Sequence, residues 1–132
     1  MYELDYLEIL RSFFEKQDDV LMAFLFGSVA KNISIKESDV DIAVYFTKYE
    51  QKRVFKLWNE LEDLLKKNVD LIVLNKANCD IAWEAIKGKK ILIRDNQFFI
   101  NYFLEVSQEA EDFREDLLEI FKIRQERRNK SA

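Results

Sequence analysis

The spacing of apolar residues predicts a helix and two strands in the first third of the chain. Residues 3–16 place leucine and phenylalanine at helical intervals, so we predict a helix there. Residues 20–26 form a continuous apolar run that ends at Gly27, which is typical of a strand buried on both faces. Residues 39–46 alternate between two faces, one of them wholly apolar, and this pattern predicts a second strand.

The rest of the chain continues the alternation of helix and strand. The same spacing rules predict a helix over 50–67, a strand over 69–74, a helix over 78–87 and a strand over 90–93. Gly88 is placed to end the second of these helices. A long helix over about 96–128 follows, so we predict one α/β domain over residues 1–132, with its core at 18–93.

The predicted C-terminal helix carries more apolar surface than one packed face needs. Its main stripe alternates spacings of four and three residues, through Phe99, Phe103, Val106, Ala110, Phe113, Leu117 and Ile120. A second apolar set lies beside or beyond that stripe, at Phe98, Tyr102, Leu118 and Phe121. Either the helix packs deeply on its own domain, or it also docks on a second copy of the chain or on another protein.

Composition excludes several classes of function. Histidine is absent, which removes Ser-His and Cys-His catalysis and histidine-ligated metals. The single cysteine, Cys79, can form neither an internal disulfide nor a cysteine-based zinc site. The sequence has no apolar run of about eighteen residues and no secretory leader, so we expect a cytoplasmic protein with no membrane association. Catalysis must then rest on carboxylates, lysine, hydroxyls, backbone groups or a hard metal ion.

The net charge of −4 is unevenly distributed. Residues 122–132 hold five basic residues against one acidic residue, so the rest of the chain is more acidic than the total suggests. An acidic body does not indicate broad nucleic-acid binding. The basic tail could contact RNA or an acidic partner, but favourable charges at a helix C-terminus explain it more simply.

Carboxylates on the predicted strands form the strongest candidate site. Asp39 and Asp41 are two residues apart on one strand, so their side chains share a face. Two carboxylates this close favour a divalent cation between them, and Mg²⁺ is commonly held by one or two carboxylates together with substrate phosphates. Asp70 opens an otherwise apolar strand and is the candidate for a third carboxylate, which would complete a site for two ions. Weaker candidates lie on helices or loops, at Asp63, Asp80, Glu84 and Asp95.

Gly27 and Ser28 are the candidate phosphate-binding residues. A glycine directly after a buried strand allows a tight turn and a close approach of phosphate to the backbone. The backbone N–H groups that follow, and the Ser28 hydroxyl, could donate to phosphate oxygens. Each of these features is common by itself. The fixed order of Gly-Ser, ten residues and Asp-x-Asp on the required elements makes the combination far more informative.

The sequence around these residues resembles a known family. Residues 24–30 read Phe-Leu-Phe-Gly-Ser-Val-Ala and residues 38–44 read Ser-Asp-Val-Asp-Ile-Ala-Val, which is similar to the nucleotidyltransferase signature of the polymerase-β superfamily. The small size and residues 69–75, Val-Asp-Leu-Ile-Val-Leu-Asn, resemble the minimal nucleotidyltransferases (MNT), the partners of HEPN-domain toxins in prokaryotic toxin–antitoxin pairs. The resemblance covers roughly residues 18–93.

The resemblance implies a fold, an activity and a partner. The fold would be polymerase-β-like, a small mixed sheet packed with helices. Gly27 and Ser28 would hold the phosphates of ATP, and Asp39, Asp41 and Asp70 would bind Mg²⁺, two ions in all. The implied reaction moves AMP from ATP to a hydroxyl of a HEPN-type toxin.

One departure from the family pattern and two other functions stay open at this point. The family often has Ala-Arg-Gly where this chain has Ala30, Lys31 and Asn32, and lysine keeps the charge of arginine but loses its planar fork. One alternative is an antitoxin that neutralises its partner by binding alone. The other is an enzyme that modifies a small molecule, as aminoglycoside nucleotidyltransferases do. The residues do not name the nucleotide, the acceptor or the stoichiometry.

Overall fold

The computed structural model describes residues 3–27, 40–109, 123 and 126. Its elements, in chain order, are α1 (Glu3–Glu15), β1 (Val20–Phe26), β2 (Val40–Phe46), α2 (Gln51–Leu65), β3 (Val69–Val73), α3 (Cys79–Ile86) and β4 (Lys89–Ile93). A further helix, α4, covers 96–109. Each predicted element in these ranges is confirmed, with its ends within two residues of the prediction.

The four strands form one mixed sheet in the order β3-β2-β1-β4. Strand β1 pairs antiparallel with both β2 and β4, and β2 pairs parallel with β3. The parallel pair needs a crossover, which α2 supplies by connecting the end of β2 to the start of β3. The small mixed sheet predicted for a polymerase-β-like fold is therefore confirmed.

Two hydrophobic cores sandwich the sheet. On one face, α1 and α2 bury side chains such as Leu10 and Leu57 against Leu25 and Ile42. On the other face, α3 and α4 pack Ala82 and Val106 against Met22, Phe24 and Ala43. Both faces of β1 are covered, which explains its continuous apolar sequence.

At two positions, the described part of α4 favours the first alternative for the C-terminal helix, which is packing on its own domain. Phe98 and Tyr102 pack on Tyr45 of the sheet, with ring centroids 4.9 Å and 5.7 Å from that ring. Burial raises the pKa of Tyr102 to about 12, with Tyr45 and nearby glutamates adding to the shift. These two aromatic residues therefore belong to the domain's own core and supply no second docking face. The exposed apolar residues on α4 are instead Ile100 and Leu104.

Most of the remaining predicted helix lies outside the described residues. This applies to Ala110, Phe113, Leu117 and Ile120 of the stripe, to Leu118 and Phe121, and to most of the basic tail. Positions 123 and 126 are helical. In the part of the chain that the structure describes, no helix combines the length and hydropathy that a membrane crossing needs.

Gly88 lies just beyond the end of α3, as predicted, and close packing also requires a glycine there. Its backbone is not left-handed, because Gly27 and Lys66 are the described residues with positive φ. A β-carbon at Gly88 would collide with the carbonyl oxygen of Leu25 and lie 2.8 Å from the β-carbon of Phe26. The glycine therefore permits the close approach of the α3–β4 turn to the end of β1.

An ion pair joins the α1–β1 turn to α2. The Arg53 guanidinium donates to both carboxylate oxygens of Asp19, at 2.7 Å and 3.0 Å, and to the side-chain oxygen of Gln17 at 2.6 Å. The hydrogen bond from Arg53 is the main cause that lowers the pKa of Asp19 below its ordinary 3.8. Asp19 in turn raises the pKa of Arg53.

We expect this pair to make stability depend on acid pH. A lowered folded-state pKa stabilises the protein above the ordinary carboxyl pKa, and this contribution disappears as the pH falls through the folded value. Asp19→Asn should therefore cost about 1 kcal/mol near neutral pH, a small figure because both side chains are partly exposed, and almost nothing at about pH 2. Urea unfolding at both pH values measures this. The exposed neighbour variant Asp18→Asn is the control, and an Asp19→Asn cost that persists unchanged in acid would contradict the assignment.

Candidate active site

Asp41 and Asp70 lie side by side on the two parallel strands. They are direct register partners of β2 and β3, so their Cα atoms are about 4.8 Å apart, the spacing of neighbouring strands. Their neighbours in sequence on β2 and β3, Ile42 and Leu71, are buried in the core on the α1–α2 side. Because side chains alternate along a strand, both carboxylates project to the α3–α4 side of the sheet. The structure thus places Asp70 on the same face as Asp41.

The end of β1 brings Gly27 against the first of these carboxylates. Phe26 is the register partner of Asp41 across the antiparallel pair, and Gly27 follows it with a φ of +75°. A β-carbon at Gly27 would collide with the carboxylate of Asp41. Glycine is therefore required there both for the left-handed backbone and for the space that the Asp41 side chain occupies.

Two of the predicted site residues, Ser28 and Asp39, lie outside the described residues. The structure therefore brings together Gly27, Asp41 and Asp70, at one edge of one face of the sheet. This edge contains the carboxyl end of β1 and the amino ends of β2 and β3.

The start of β3, which carries Asp70, is fixed by side chains of α2. The indole Nε1 of Trp58 donates to the carbonyl oxygen of Val69 at 2.6 Å, and the N–H of Val69 donates to Glu62 at 3.0 Å. Among the described strands, β3 is at the edge of the sheet, so these side chains satisfy backbone groups that none of those strands pairs with. Sequence reasoning missed both residues. The available signal was their spacing of four on α2, which places them on one side of that helix.

We expect Trp58→Phe to impair catalysis more than stability. Phenylalanine keeps an aromatic ring at this position but cannot donate the hydrogen bond to Val69. The loss of this bond should cost about 1 kcal/mol of stability. Loosened positioning of Asp70 should lower kcat for a reaction at this site about tenfold with little change in the KM for the substrate. Steady-state kinetics and thermal unfolding measure the two effects. Phe55→Leu alters an exposed aromatic residue of the same helix and is the control. An unchanged kcat in a Trp58→Phe protein would show that this contact does not position Asp70.

An open groove adjoins the carboxylates on the same face. It has a volume of about 360 Å³ and is lined by Phe26, Asp70, Ile72, Asp80, Ile81 and Glu84. Its walls are thus two sheet strands and the outer side of α3, and its rim carries three acidic residues. Two of the weaker metal candidates, Asp80 and Glu84, are therefore neighbours of Asp70.

The other two weaker candidates lie elsewhere. Asp95 caps the start of α4, because its carboxylate accepts from the N–H of Phe98 at 3.0 Å and its carbonyl from Phe99 at 3.1 Å. Asp63 is on α2, which packs on the opposite face of the sheet. Neither residue can join Asp41.

The donor set suits a hard cation that is completed by a substrate. Among residues 3–27, 40–109, 123 and 126, no cluster of three or more histidine, cysteine or acidic side chains could hold a metal by itself. Asp41 and Asp70 are two carboxylates on adjacent strands. Two carboxylates agree with the usual coordination of Mg²⁺, which binds one or two carboxylates and completes its coordination with water and phosphate oxygens.

Comparison with known proteins identifies both the sequence family and the fold. Residues 8–98 match the family model described as polymerase beta, nucleotidyltransferase. No curated protein sequence matches the chain significantly.

Several solved toxin–antitoxin structures share the fold. One is an MntA complex with two aspartates replaced by glutamate, with a TM-score of 0.71 and 18% identity over 92% of this chain and 97% of that one. A toxin–antitoxin structure with AMP-PNP gives a TM-score of 0.70 and 19% identity over the same shares. A third contains the tri-AMPylated HEPN toxin of Shewanella oneidensis with its MNT antitoxin, with a TM-score of 0.62 and 19% identity over 91% and 92%.

Proposed function

The chain belongs to the polymerase-β nucleotidyltransferase family, and on that premise we propose that it transfers AMP from ATP to a hydroxyl group of a partner protein. The partner is a HEPN-type toxin, and the chain acts as the antitoxin of the pair in the cytoplasm. The observation that carries the proposal is the register of Asp41 with Asp70, directly beside Gly27. Nucleotidyl transfer needs metal-binding carboxylates next to a backbone turn that binds phosphate.

The reaction exchanges a phosphoanhydride bond of ATP for a phosphodiester bond to the partner protein. The oxygen of the acceptor hydroxyl attacks the α-phosphorus of ATP and forms a new P–O bond. The bond from that phosphorus to the oxygen bridging to the β-phosphate breaks, and pyrophosphate leaves with the electron pair. The hydroxyl proton passes to a carboxylate of the site or to water. Bound Mg²⁺ would neutralise charge on the triphosphate and make the hydroxyl more acidic.

Each proposed site residue has one role in this scheme. Gly27 and Ser28 hold the phosphates that leave, because the left-handed turn at Gly27 allows phosphate to approach the backbone. Asp39 and Asp41 would hold Mg²⁺. Asp70, one strand further from Gly27, would also hold Mg²⁺ and would orient the attacking hydroxyl.

The fold neighbours support the choice of nucleotide and acceptor. One of them was solved with AMP-PNP, an analogue of ATP, and another contains a toxin that carries AMP. This chain covers nearly the whole of those chains, so it needs no extra domain to match them. The proposal extends the same donor and the same kind of acceptor to this chain.

Transfer of label from ATP to the partner tests the proposal. The purified chain is incubated with Mg²⁺, ATP labelled at the α-phosphate, and the proposed HEPN-type partner protein. We expect label on that protein, no label when EDTA replaces Mg²⁺, and loss of the partner's toxicity in step with labelling. Loss of toxicity without label would favour an antitoxin that acts by binding. Label on an aminoglycoside and not on the protein would favour a small-molecule enzyme.

A further inference from the structure

We propose that the groove beside Asp70 is the recognition site for the acceptor segment of the partner protein, with Ile81 as its specificity-determining residue. The inference rests on the proposed function. Its occupant is a stretch of polypeptide that carries an apolar side chain close to the modified hydroxyl, flanked by basic residues. The groove is the surface of about 360 Å³ defined above by its six lining residues.

The position of the groove within the sheet favours the acceptor over the nucleotide. Across the sheet, Gly27 follows β1, Asp41 is on β2 and Asp70 is on β3. In an in-line displacement, the leaving and attacking oxygens lie on opposite sides of the phosphorus. If the leaving phosphates lie at Gly27, the attacking hydroxyl must enter from the side of Asp70. The groove includes Asp70 and Ile72 of β3 on that side, and it also reaches Phe26 at the end of β1.

The apolar part of the groove is exposed to solvent, and packing within the domain does not explain why apolar residues lie there. Ile81 is a large apolar residue, yet its side chain is 41% exposed on the outer side of α3. The buried side of α3 is formed by other residues, namely Ala82, Ala85 and Ile86. Ile81 together with Phe26 and Ile72 therefore presents an apolar surface next to the reaction centre, where it can bury a side chain of the acceptor.

The charge at the rim selects among ligands. Asp80 and Glu84 are acidic, and none of the described residues that line the groove is basic. Glu84 also pairs with Lys87 at 3.0 Å, but both side chains are well exposed, so this contact is weak. A triphosphate would be repelled from such a rim. A protein segment with lysine or arginine beside its apolar residue is attracted to it.

Kinetics of the Ile81→Ala variant test the proposal. With the proposed HEPN-type partner protein as acceptor, we expect the KM for that protein to rise about tenfold. Loss of roughly one buried aliphatic contact has an effect of this size. The KM for ATP, and the affinity for a fluorescent ATP analogue measured without acceptor, should stay unchanged. Leu64→Ala is the matched control, because Leu64 is also 41% exposed but lies on α2. It should leave all of these values unaltered.

A charge variant provides the second arm. Asp80→Asn should also raise the KM for the acceptor, and the difference from the wild type should shrink in high salt, whereas Asp63→Asn on α2 should have no effect. An Ile81→Ala protein that is folded and has the same KM for the acceptor as Leu64→Ala would overturn the inference while leaving the proposed function intact. Weakened binding of the ATP analogue would assign the groove to the nucleobase and would also overturn it. A wild type that transfers no nucleotide would instead overturn the proposed function.

Discussion

Asp41→Asn is expected to lower nucleotide transfer by about a thousandfold or more, because it removes a ligand on which the charge of the transition state depends. The fold should be retained. Asparagine has nearly the same shape as aspartate and fits the space that Gly27 leaves. Removing one of two carboxylates on adjacent strands also relieves repulsion in the metal-free protein, so the variant should unfold at the same or a slightly higher temperature.

Asp63→Asn is the matched control for this variant. It makes the same chemical change at an exposed residue of α2. This helix packs on the other face of the sheet, so transfer should be unaffected. Transfer assays and thermal unfolding of both variants measure the contrast. A folded Asp41→Asn protein that labels its partner at the wild-type rate would show that Asp41 is not part of the reaction centre.

Gly27→Ala is expected to reduce transfer by about a hundredfold or more, because a small displacement of a catalytic group is this costly. The added methyl group would meet the Asp41 carboxylate, and alanine would also have to adopt a φ of +75°. The left-handed backbone alone costs an alanine roughly 1–2 kcal/mol. We therefore expect lower stability together with a displaced carboxylate and weaker binding of ATP.

Gly88→Ala separates the two effects of the Gly27 variant. A β-carbon at Gly88 would collide with the backbone of β1 and not with a carboxylate, so it should lower stability with a much smaller loss of transfer. Measurements are made well below the unfolding temperature of each protein. Equal losses of transfer in both variants would mean that the added methyl group at Gly27 does not act through Asp41.

Much of the fold could be predicted because each element has a simple pattern. The continuous apolar run of β1 follows from burial on both faces, and the alternation in β2 follows from the two different cores on either side of the sheet. The order of the strands across the sheet was not accessible. Alternation shows which residues share a face, but it does not state which strand pairs with which.

The candidate site could be predicted in part. Asp41 was identifiable because it shares a strand face with Asp39, two residues away, and Asp70 was identifiable because a charge at the start of an apolar strand demands an explanation. Their adjacency depends on the parallel register of β2 and β3, which only the structure supplies. The contacts of Trp58 and Glu62 with Val69 were missed, because amphipathic spacing assigns such residues to the boundary of a helix and not to a distant strand.

The C-terminal helix shows where apolar spacing misleads. Their spacing makes Phe98 and Tyr102 look like surplus apolar surface, but both rings pack on Tyr45 of the sheet. A broad apolar stripe can thus reflect a broad sheet surface beneath it. Docking through the helix beyond residue 109 stays a prediction. Size-exclusion chromatography with light scattering on the intact chain and on a form ending near Gln108 tests it.

The most direct test of the central claim is the intact mass of the partner protein after incubation with ATP, Mg²⁺ and either the wild type or Asp70→Asn. The structure places Asp70 beside Asp41 on the reactive face, and the account predicts that the wild type adds the mass of one or more AMP groups. Folded Asp70→Asn should add none in the same time. An unmodified partner with the wild type, or equal modification with Asp70→Asn, would contradict it.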